Sequence, residues 1–107
     1  MRESFDLDKA RQAVRQRNIL WRRHALERML EREFSREMVM QVVLQGEVIE
    51  DYSADRPVPS ALMLGWEQQR PVHVVVSIGV DVQAAVITVY EPTLEVFESD
   101  YRTRRKP

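Results

Sequence analysis

The chain has no cysteine, and this absence removes several kinds of chemistry. None of its 107 residues can form a disulfide, act as a thiolate nucleophile or bind zinc through sulfur, and a reducing compartment suits this composition. Only three glycines are present, far apart, so there is no glycine-rich phosphate loop. No apolar run approaches the roughly 18 residues of a membrane span, and the N-terminus lacks a signal-peptide core. We expect a cytoplasmic protein with no membrane association.

Histidine is also scarce, which limits metal chemistry. His24 and His73 are the only two, and neither belongs to a metal-binding spacing such as H-E-x-x-H. No serine lies in a nucleophile-elbow motif. The sequence therefore predicts no metal site and no cofactor.

The charges that are present are unevenly distributed along the chain. A formal net charge of −1 conceals two basic ends, at residues 1–36 and 99–107, and an acidic middle at residues 37–98. If the ends meet in space, they form a basic surface on a nearly neutral protein. The alternative is a solvated helix and a separate basic tail.

The first part of the chain has helical periodicity with recognisable caps. Asp6 is a candidate N-cap for a helix that ends near Asn18, and "ILW" follows as an apolar link. A second helix begins at Trp21 and ends near Arg32. Ser35 caps a third helix, and we expect Gly46 to end it in a left-handed conformation.

After Gly46 the apolar period changes to that of strands. Four segments have high β-propensity: "EVIEDY", "SALMLGW", "VHVVVSI" and "AAVITVYE". Pro92 ends the last one, and "LEVFESDYRTRR" adds a short edge strand or a helical turn. We predict a single α+β domain over residues 1–107, with N-terminal helices on one face of an antiparallel meander. The expected number of strands is four, with three and five as the bounds.

The second helix has a basic stripe between its apolar and polar faces. At 100° per residue, four residues are predicted to face the core: Ala25, Leu26, Met29 and Leu30. His24, Arg28 and Arg32 lie on the flank of that face. An ordinary helix surface, with Arg28 paired to Glu31, explains the stripe, and so does a site for an anionic substrate.

The last strand pair carries the other titratable side chains. A hairpin centred on Asp81 places His73 opposite Val89 and diagonal to Glu91, with Tyr90 on the other face. A one-residue slip exchanges these partners. The alternative to a functional role is that His73 is an ordinary strand residue and Tyr90 a core aromatic with its hydroxyl at the rim.

Four segments together resemble a bacterial family known as domain of unknown function 4258: "HALERMLER", "GEVIEDYSADRPVPSALMLG", "RPVHVVV" and "ITVYEP". The resemblance covers residues 21–104 as an α+β core, with the helix and link of 1–20 outside it and 105–107 as a basic tail. It implies distant kinship to the RelE/ParE and BrnT toxins and a toxin-like fold. It also implies a type II toxin–antitoxin setting, a small antitoxin partner (of the kind with a YgiT-type zinc finger) and RNA as a ligand. A homodimer is a separate expectation.

The residues that match the family pattern are His24, Ala25, Arg28, Arg32, Gly46, Glu47, Tyr52, Asp55, Arg56, Pro57, Arg70, Pro71, His73, Thr88, Tyr90, Glu91 and Pro92. Phe97 stands where relatives often have tryptophan.

Two hypotheses about function follow. In the first the protein is a metal-independent endoribonuclease, with His24 or Glu91 as the base and His24 or Tyr90 as the acid. The predicted phosphate ligands are Arg28, Arg32, Arg102, Arg104 and Arg105. In the second it is a non-catalytic partner-binding module, whose acidic block at 47–55 and strand edges accept a partner. The acidic middle and a pI of 6.1 favour the second, because they repel RNA.

Overall fold

A computed structural model describes residues 4–54 and 58–106 as three helices and five strands. The elements are α1 (Leu7–Arg15), β1 (Ile19–Trp21), α2 (Arg23–Arg32), α3 (Arg36–Gln45), β2 (Glu47–Tyr52), β3 (Ser60–Glu67), β4 (Arg70–Ile78) and β5 (Ala84–Tyr90). The predicted motif positions Asp55, Arg56 and Pro57 lie outside the described residues.

The strands form one mixed sheet in the order β1-β5-β4-β3-β2. Neighbours from β2 to β5 pair antiparallel, whereas β1 runs parallel to β5. The α+β class is confirmed, but the expectation of a wholly antiparallel sheet is corrected. The "ILW" segment predicted as a link is an edge strand, because Ile19 and Trp21 pack partly against the core while the backbone hydrogen-bonds to β5.

The helices cover one face of the sheet and enclose the apolar core. Asp6 accepts from Lys9 N (3.1 Å) and Ser35 from Met38 N (3.0 Å), which confirms both predicted N-caps. The prediction that Gly46 ends α3 in a left-handed conformation is wrong, because its backbone is extended, with a φ of −79° and a ψ of −172°. Its lack of a side chain serves close packing: a Cβ there would lie 2.5 Å from the carbonyl oxygens of Leu64 and Val42.

Helix α2 ends at Arg32, as predicted, but its burial is narrower than predicted. Ala25 and Met29 are buried and Leu26 is half-buried, whereas Leu30 is 83% exposed. The prediction for Leu30 is wrong because α2 packs mainly on β5, near the end of the sheet, and none of the residues that the structure describes covers the Leu30 side of the helix.

The residue that ends α2 offers a test of backbone strain. Glu33 has a φ of 60° and a ψ of 38°, a left-handed conformation that disfavours residues with a Cβ. Glu33→Gly should raise the free energy of unfolding by about 0.5–1 kcal/mol, because the relieved strain exceeds the entropy that glycine adds to the unfolded chain. Urea denaturation measures this, and a lower midpoint for the variant would contradict it.

Two β-bulges shift the strand registers and change which side chains share a face. Near the turn β4 and β5 pair as a hairpin centred on Asp81, with Val76 opposite Val86. Ile87 is then an extra residue, so that Val75 pairs with Thr88 and His73 with Tyr90. The predicted pairing of His73 with Val89 is therefore wrong by one residue beyond the bulge.

The second bulge lies in β2, where Ile49 is the extra residue between Val48 and Glu50. Beyond it Glu50 pairs with Leu62 and Tyr52 with Ser60. Because Leu62 and His73 share a face, the bulge turns Glu50 and Tyr52 to the side of the sheet away from the helices.

The C-terminal segment covers that second face. After Pro92 the chain makes a turn, with Phe97 N donating to Thr93 O, and then doubles back through a single bridge between Phe97 and Arg104. This segment, predicted as an edge strand or helical turn, contains a turn but adds no strand to the main sheet. Phe97 is 2% exposed and packs edge-on against His73.

Candidate functional site

The basic stripe of α2 is a solvent-exposed surface. His24, Arg28 and Arg32 are all exposed, and Arg28 pairs with Glu31 at 3.4 Å, as predicted. Within residues 4–54 and 58–106, the side chain of His24 has no hydrogen bond or ion pair. His24 and Arg32 are eight residues apart, which separates them by about 12 Å along the axis.

Arg70 connects the end of this helix to the end of β5. Its Nε donates to Glu91 Oε1 at 2.9 Å and its Nη2 to the Arg32 carbonyl at 2.6 Å. The guanidinium also lies 4.2 Å from the centre of the Phe34 ring. Glu91 is therefore fixed at the Arg32 end of α2, while the helix starts beside Val86 with His24 at the far end.

On the opposite face of the sheet, His73 and Tyr90 form a buried pair. His73 is 0% exposed, its Nδ1 lies 3.1 Å from Tyr90 Oη, and its Nε2 lies 2.7 Å from the Tyr101 carbonyl oxygen. A carbonyl only accepts, so Nε2 carries the proton. In the neutral ring Nδ1 then accepts from the Tyr90 hydroxyl.

Burial sets the protonation of this pair. It lowers the pKa of His73, opposed by the Tyr101 carbonyl and the charge of Glu50. Burial also raises the pKa of Tyr90 above its usual range. At neutral pH the neutral imidazole of His73 therefore accepts a hydrogen bond from the neutral phenol of Tyr90. The Tyr90 oxygen can then offer only its lone pairs to a group in the cleft.

Glu50 and Arg104 form an ion pair next to this histidine. Arg104 donates from Nε (2.7 Å) and Nη2 (3.1 Å), and Tyr52 donates its hydroxyl to Glu50. Burial works to raise the pKa of Glu50, but hydrogen bonds from Arg104 and Tyr52 outweigh it and lower the pKa. Burial and Glu50 raise the pKa of Tyr52 to about 12. The bulge at Ile49 places both carboxylate and phenol here.

The other tail arginines also have carboxylate partners. Arg102 pairs with Glu47, and Arg105 with Glu98 at 3.1 Å. Asp100 organises the reversal between them by accepting from the backbone nitrogens of Arg102 and Thr103, each at 3.0 Å. Those bonds hold its pKa at about 2. This turn presents the Tyr101 carbonyl to His73.

A cleft of about 240 Å³ opens beside the buried pair. It is lined by Tyr90, Glu91, Pro92, Thr93, Val96, Phe97 and Arg104. Three predicted site residues, Tyr90, Glu91 and Arg104, therefore meet in one cavity. The lining does not include the predicted residues His24, Arg28, Arg32 and Arg102.

The sequence assigns no catalytic role to Glu50, to Tyr52 or to His73, the residue at the centre of this cluster. Its partner Tyr90 was expected on the other face, since strict alternation over one hairpin separates them. Only the bulge at Ile87 brings their side chains together. The signal that was available is the family pattern, which contains both residues.

The described residues offer no carboxylate–histidine group for a metal: no three or more of these side chains lie close enough together to hold an ion. None of the helices described combines the length and the apolar character needed to cross a membrane.

The profile of one protein family, domain of unknown function 4258, matches residues 21–91. The chain belongs to that family. The match includes Glu50, His73, Tyr90 and Glu91, and it ends before the tail that carries Arg104. Comparisons with curated proteins and with solved structures found no match. The relationship to RelE/ParE toxins stays a prediction.

The lowered pKa of His73 predicts how stability depends on pH. Between the ordinary histidine value of 6.5 and the lower folded value, the unfolded chain binds a proton that the folded chain refuses. The free energy of unfolding should therefore fall as pH drops below 6.5. Urea midpoints measured between pH 7 and 5 should fall less in His73→Gln, and equal slopes would contradict this assignment.

Proposed function

We propose that this protein is a toxin-like endoribonuclease of the cytoplasm that cleaves RNA at the Tyr90 cleft without a metal ion and is restrained by a small antitoxin. One observation supports it most. Tyr90 lines the cleft, is backed by a buried neutral histidine, and stands next to the guanidinium of Arg104. This combination supplies a proton acceptor, a proton reservoir and a fixed positive charge in one cavity.

The proposed reaction moves one proton through Tyr90. The phenol oxygen takes the proton of the attacking 2′-hydroxyl while its own proton passes to Nδ1 of His73. The 2′-oxygen bonds to phosphorus and the bond to the 5′-oxygen breaks, which leaves a 2′,3′-cyclic phosphate. The proton then returns from Nδ1 of His73 through Tyr90 to the departing 5′-oxygen.

Two groups would stabilise this transient imidazolium against the burial that disfavours it. The Tyr101 carbonyl accepts from its Nε2–H, and the negative charge of Glu50 favours the charged ring. Arg104 would face the extra negative charge on the phosphorane, although it must share its donors between phosphate and Glu50.

The basic stripe gives the RNA strand a path to the cleft. Arg70 ties the Arg32 end of α2 to Glu91 on the cleft rim. Arg32 has no ion pair in the described ranges, and the Arg28–Glu31 pair is exposed and weak. We propose that Arg28 and Arg32 bind RNA phosphates outside the reacting centre, so that their alanine variants raise KM and leave kcat nearly unchanged.

The direct test uses the purified chain without any partner. It is incubated with a labelled single-stranded RNA of mixed sequence in EDTA, and the product ends are identified by mass spectrometry. Cyclic-phosphate and 5′-hydroxyl ends support the proposal, as does growth arrest when the chain is expressed alone. Absence of both cleavage and arrest would overturn it.

A second candidate function is a non-catalytic protein-binding module, and the tail favours it. Each of Arg102, Arg104 and Arg105 already pairs with a glutamate, which reduces the positive charge available to RNA. On this hypothesis the His73–Tyr90 pair only anchors the tail. A folded wild-type chain that neither binds nor cleaves RNA would favour it.

A further inference from the structure

The outer edge of β1 has free backbone groups. Asn18 O accepts from Ala84 N at 3.1 Å, and Arg22 N donates to Val86 O at 3.2 Å. In a parallel ladder, alternate residues bond to the same neighbour, so residues 18, 20 and 22 face β5. The N–H and C=O groups of Ile19 and Trp21 therefore point away from the sheet, where the described chain has no further strand.

This edge lies in the most basic part of the chain. Residues 15–23, "RQRNILWRR", contain four arginines and no acid. Arg17 pairs with Glu37 at 3.0 Å and Arg23 with Glu27 at 3.6 Å, both pairs being largely exposed. Arg22 has no ion pair in the described part of the chain, and Arg36 lies 5.7 Å from the Trp21 ring on the helix side.

The two edges of the sheet thus differ in their charge and in whether another segment of the chain contacts them. At the far edge, β2 contains Glu47, Glu50 and Asp51, and the tail arginines already neutralise two of them. At β1, Arg22 and Arg36 have no ion pair among the described residues, and Leu20, 46% exposed, adds an apolar contact on the face away from the helices. An uncovered edge of this kind is a template for a strand from another chain.

We propose that the outer edge of β1 binds an extended acidic segment of a partner protein as a sixth strand, with backbone bonds to Ile19 and Trp21 and carboxylates facing Arg22 and Arg36. Positive charge on both faces of the strand selects an occupant with carboxylates on both of its faces, and Leu20 favours an apolar residue opposite it. The inference concerns binding alone and does not require Tyr90 to be catalytic.

The test titrates the ¹⁵N-labelled full chain with the acetylated peptide Asp-Glu-Val-Glu-Asp-Glu-Val, which as a strand has acids on both faces and valine on one, followed by NMR. Amide shifts centred on Ile19 and Trp21 are expected, with affinity that falls on going from about 0.05 to 0.5 M salt because the charges are exposed. The matched peptide with lysine in place of each acid should not bind. No binding of the acidic peptide up to millimolar concentration, or shifts centred elsewhere, would overturn the proposal.

Two variants distinguish this edge from the rest of the surface. Arg22→Glu should weaken binding at least about tenfold through charge reversal. It should fold, because the Arg22 side chain makes no cap hydrogen bond and a carboxylate suits a helix N-terminus. Ile19→Pro removes an outward N–H that β5 does not use, and it should abolish binding. Lys106→Glu is the charge-matched control and should change the affinity less than about twofold.

Self-association is the remaining outcome. If β2 of a second copy filled this edge, sedimentation would show oligomers that grow with concentration and dissociate in Arg22→Glu. That result would replace the partner by the chain itself and would overturn the proposal as stated.

Discussion

Tyr90→Phe should abolish RNA cleavage while the protein still folds. The ring keeps its edge contact with His73, whose centre lies 5.1 Å away, so the packing of the tail is retained. Only the hydroxyl is lost, and with it the oxygen that faces the cleft and the proton held by Nδ1. General acid–base catalysis typically contributes 10²–10⁴-fold, and we expect a loss of about that size in kcat.

The controls separate catalysis from folding. Losing the hydrogen bond leaves Nδ1 buried without a donor, which should cost about 1–3 kcal/mol of stability, measured by urea denaturation. Tyr52→Phe is the matched variant, because it removes a phenol on the same face that does not line the cleft, and it should keep most activity. If His24→Ala abolishes cleavage and Tyr90→Phe does not, catalysis belongs to the α2 stripe instead.

Gly46→Ala should be strongly destabilising, although the conformation of Gly46 is open to any residue. Its backbone is extended, so an alanine there adopts φ and ψ without strain. The added methyl would, however, lie 2.5 Å from two carbonyl oxygens, those of Val42 and Leu64. Neither can move without disturbing α3 or β3, and we expect a loss of about 3 kcal/mol, the upper part of the range for overpacking.

Gly79→Ala is the control for that substitution. Its Cβ would meet the side chain of Val58 at 3.0 Å, a contact that a small rearrangement relieves. The expected loss is below about 1 kcal/mol. Equal thermal and urea stability of Gly46→Ala and wild type would show that α3 can shift away from β3, and would contradict the close approach.

The helical half of the molecule was readable because its signals are local. Asp6 and Ser35 cap helices through their own side chains, and the apolar spacing of α3 predicts the face that it buries. The predicted burial of Leu30 is wrong for a reason outside its helix, because the exposure of this side chain depends on how far the sheet extends beneath α2. The parallel pairing of β1 with β5 could not be predicted for a similar reason, because it joins two segments that are far apart in the sequence.

The candidate site was only partly readable. Composition and family resemblance singled out Tyr90, Glu91 and Arg104, which meet in the cleft. The sequence predicts His73 and Tyr90 on opposite faces of the sheet, although the two side chains are hydrogen-bonded. That prediction is wrong because it assumes an unbroken ladder, which the extra residue Ile87 interrupts. No pattern in the tail predicts that the Tyr101 carbonyl reaches His73.

The two bulged isoleucines are the positions in β5 and β2 at which the chain can lose a residue without changing which side chains share a face. Deleting Ile87 would remove the extra residue and leave Val86 opposite Val76 and Tyr90 opposite His73 in an unbroken ladder. Deleting Ile49 would likewise leave Glu50 opposite Leu62. Relatives should therefore show gaps at these two positions more readily than at their neighbours, and a residue lost elsewhere in β5 between Val86 and Tyr90 would turn Tyr90 away from His73 unless the bulge is lost with it.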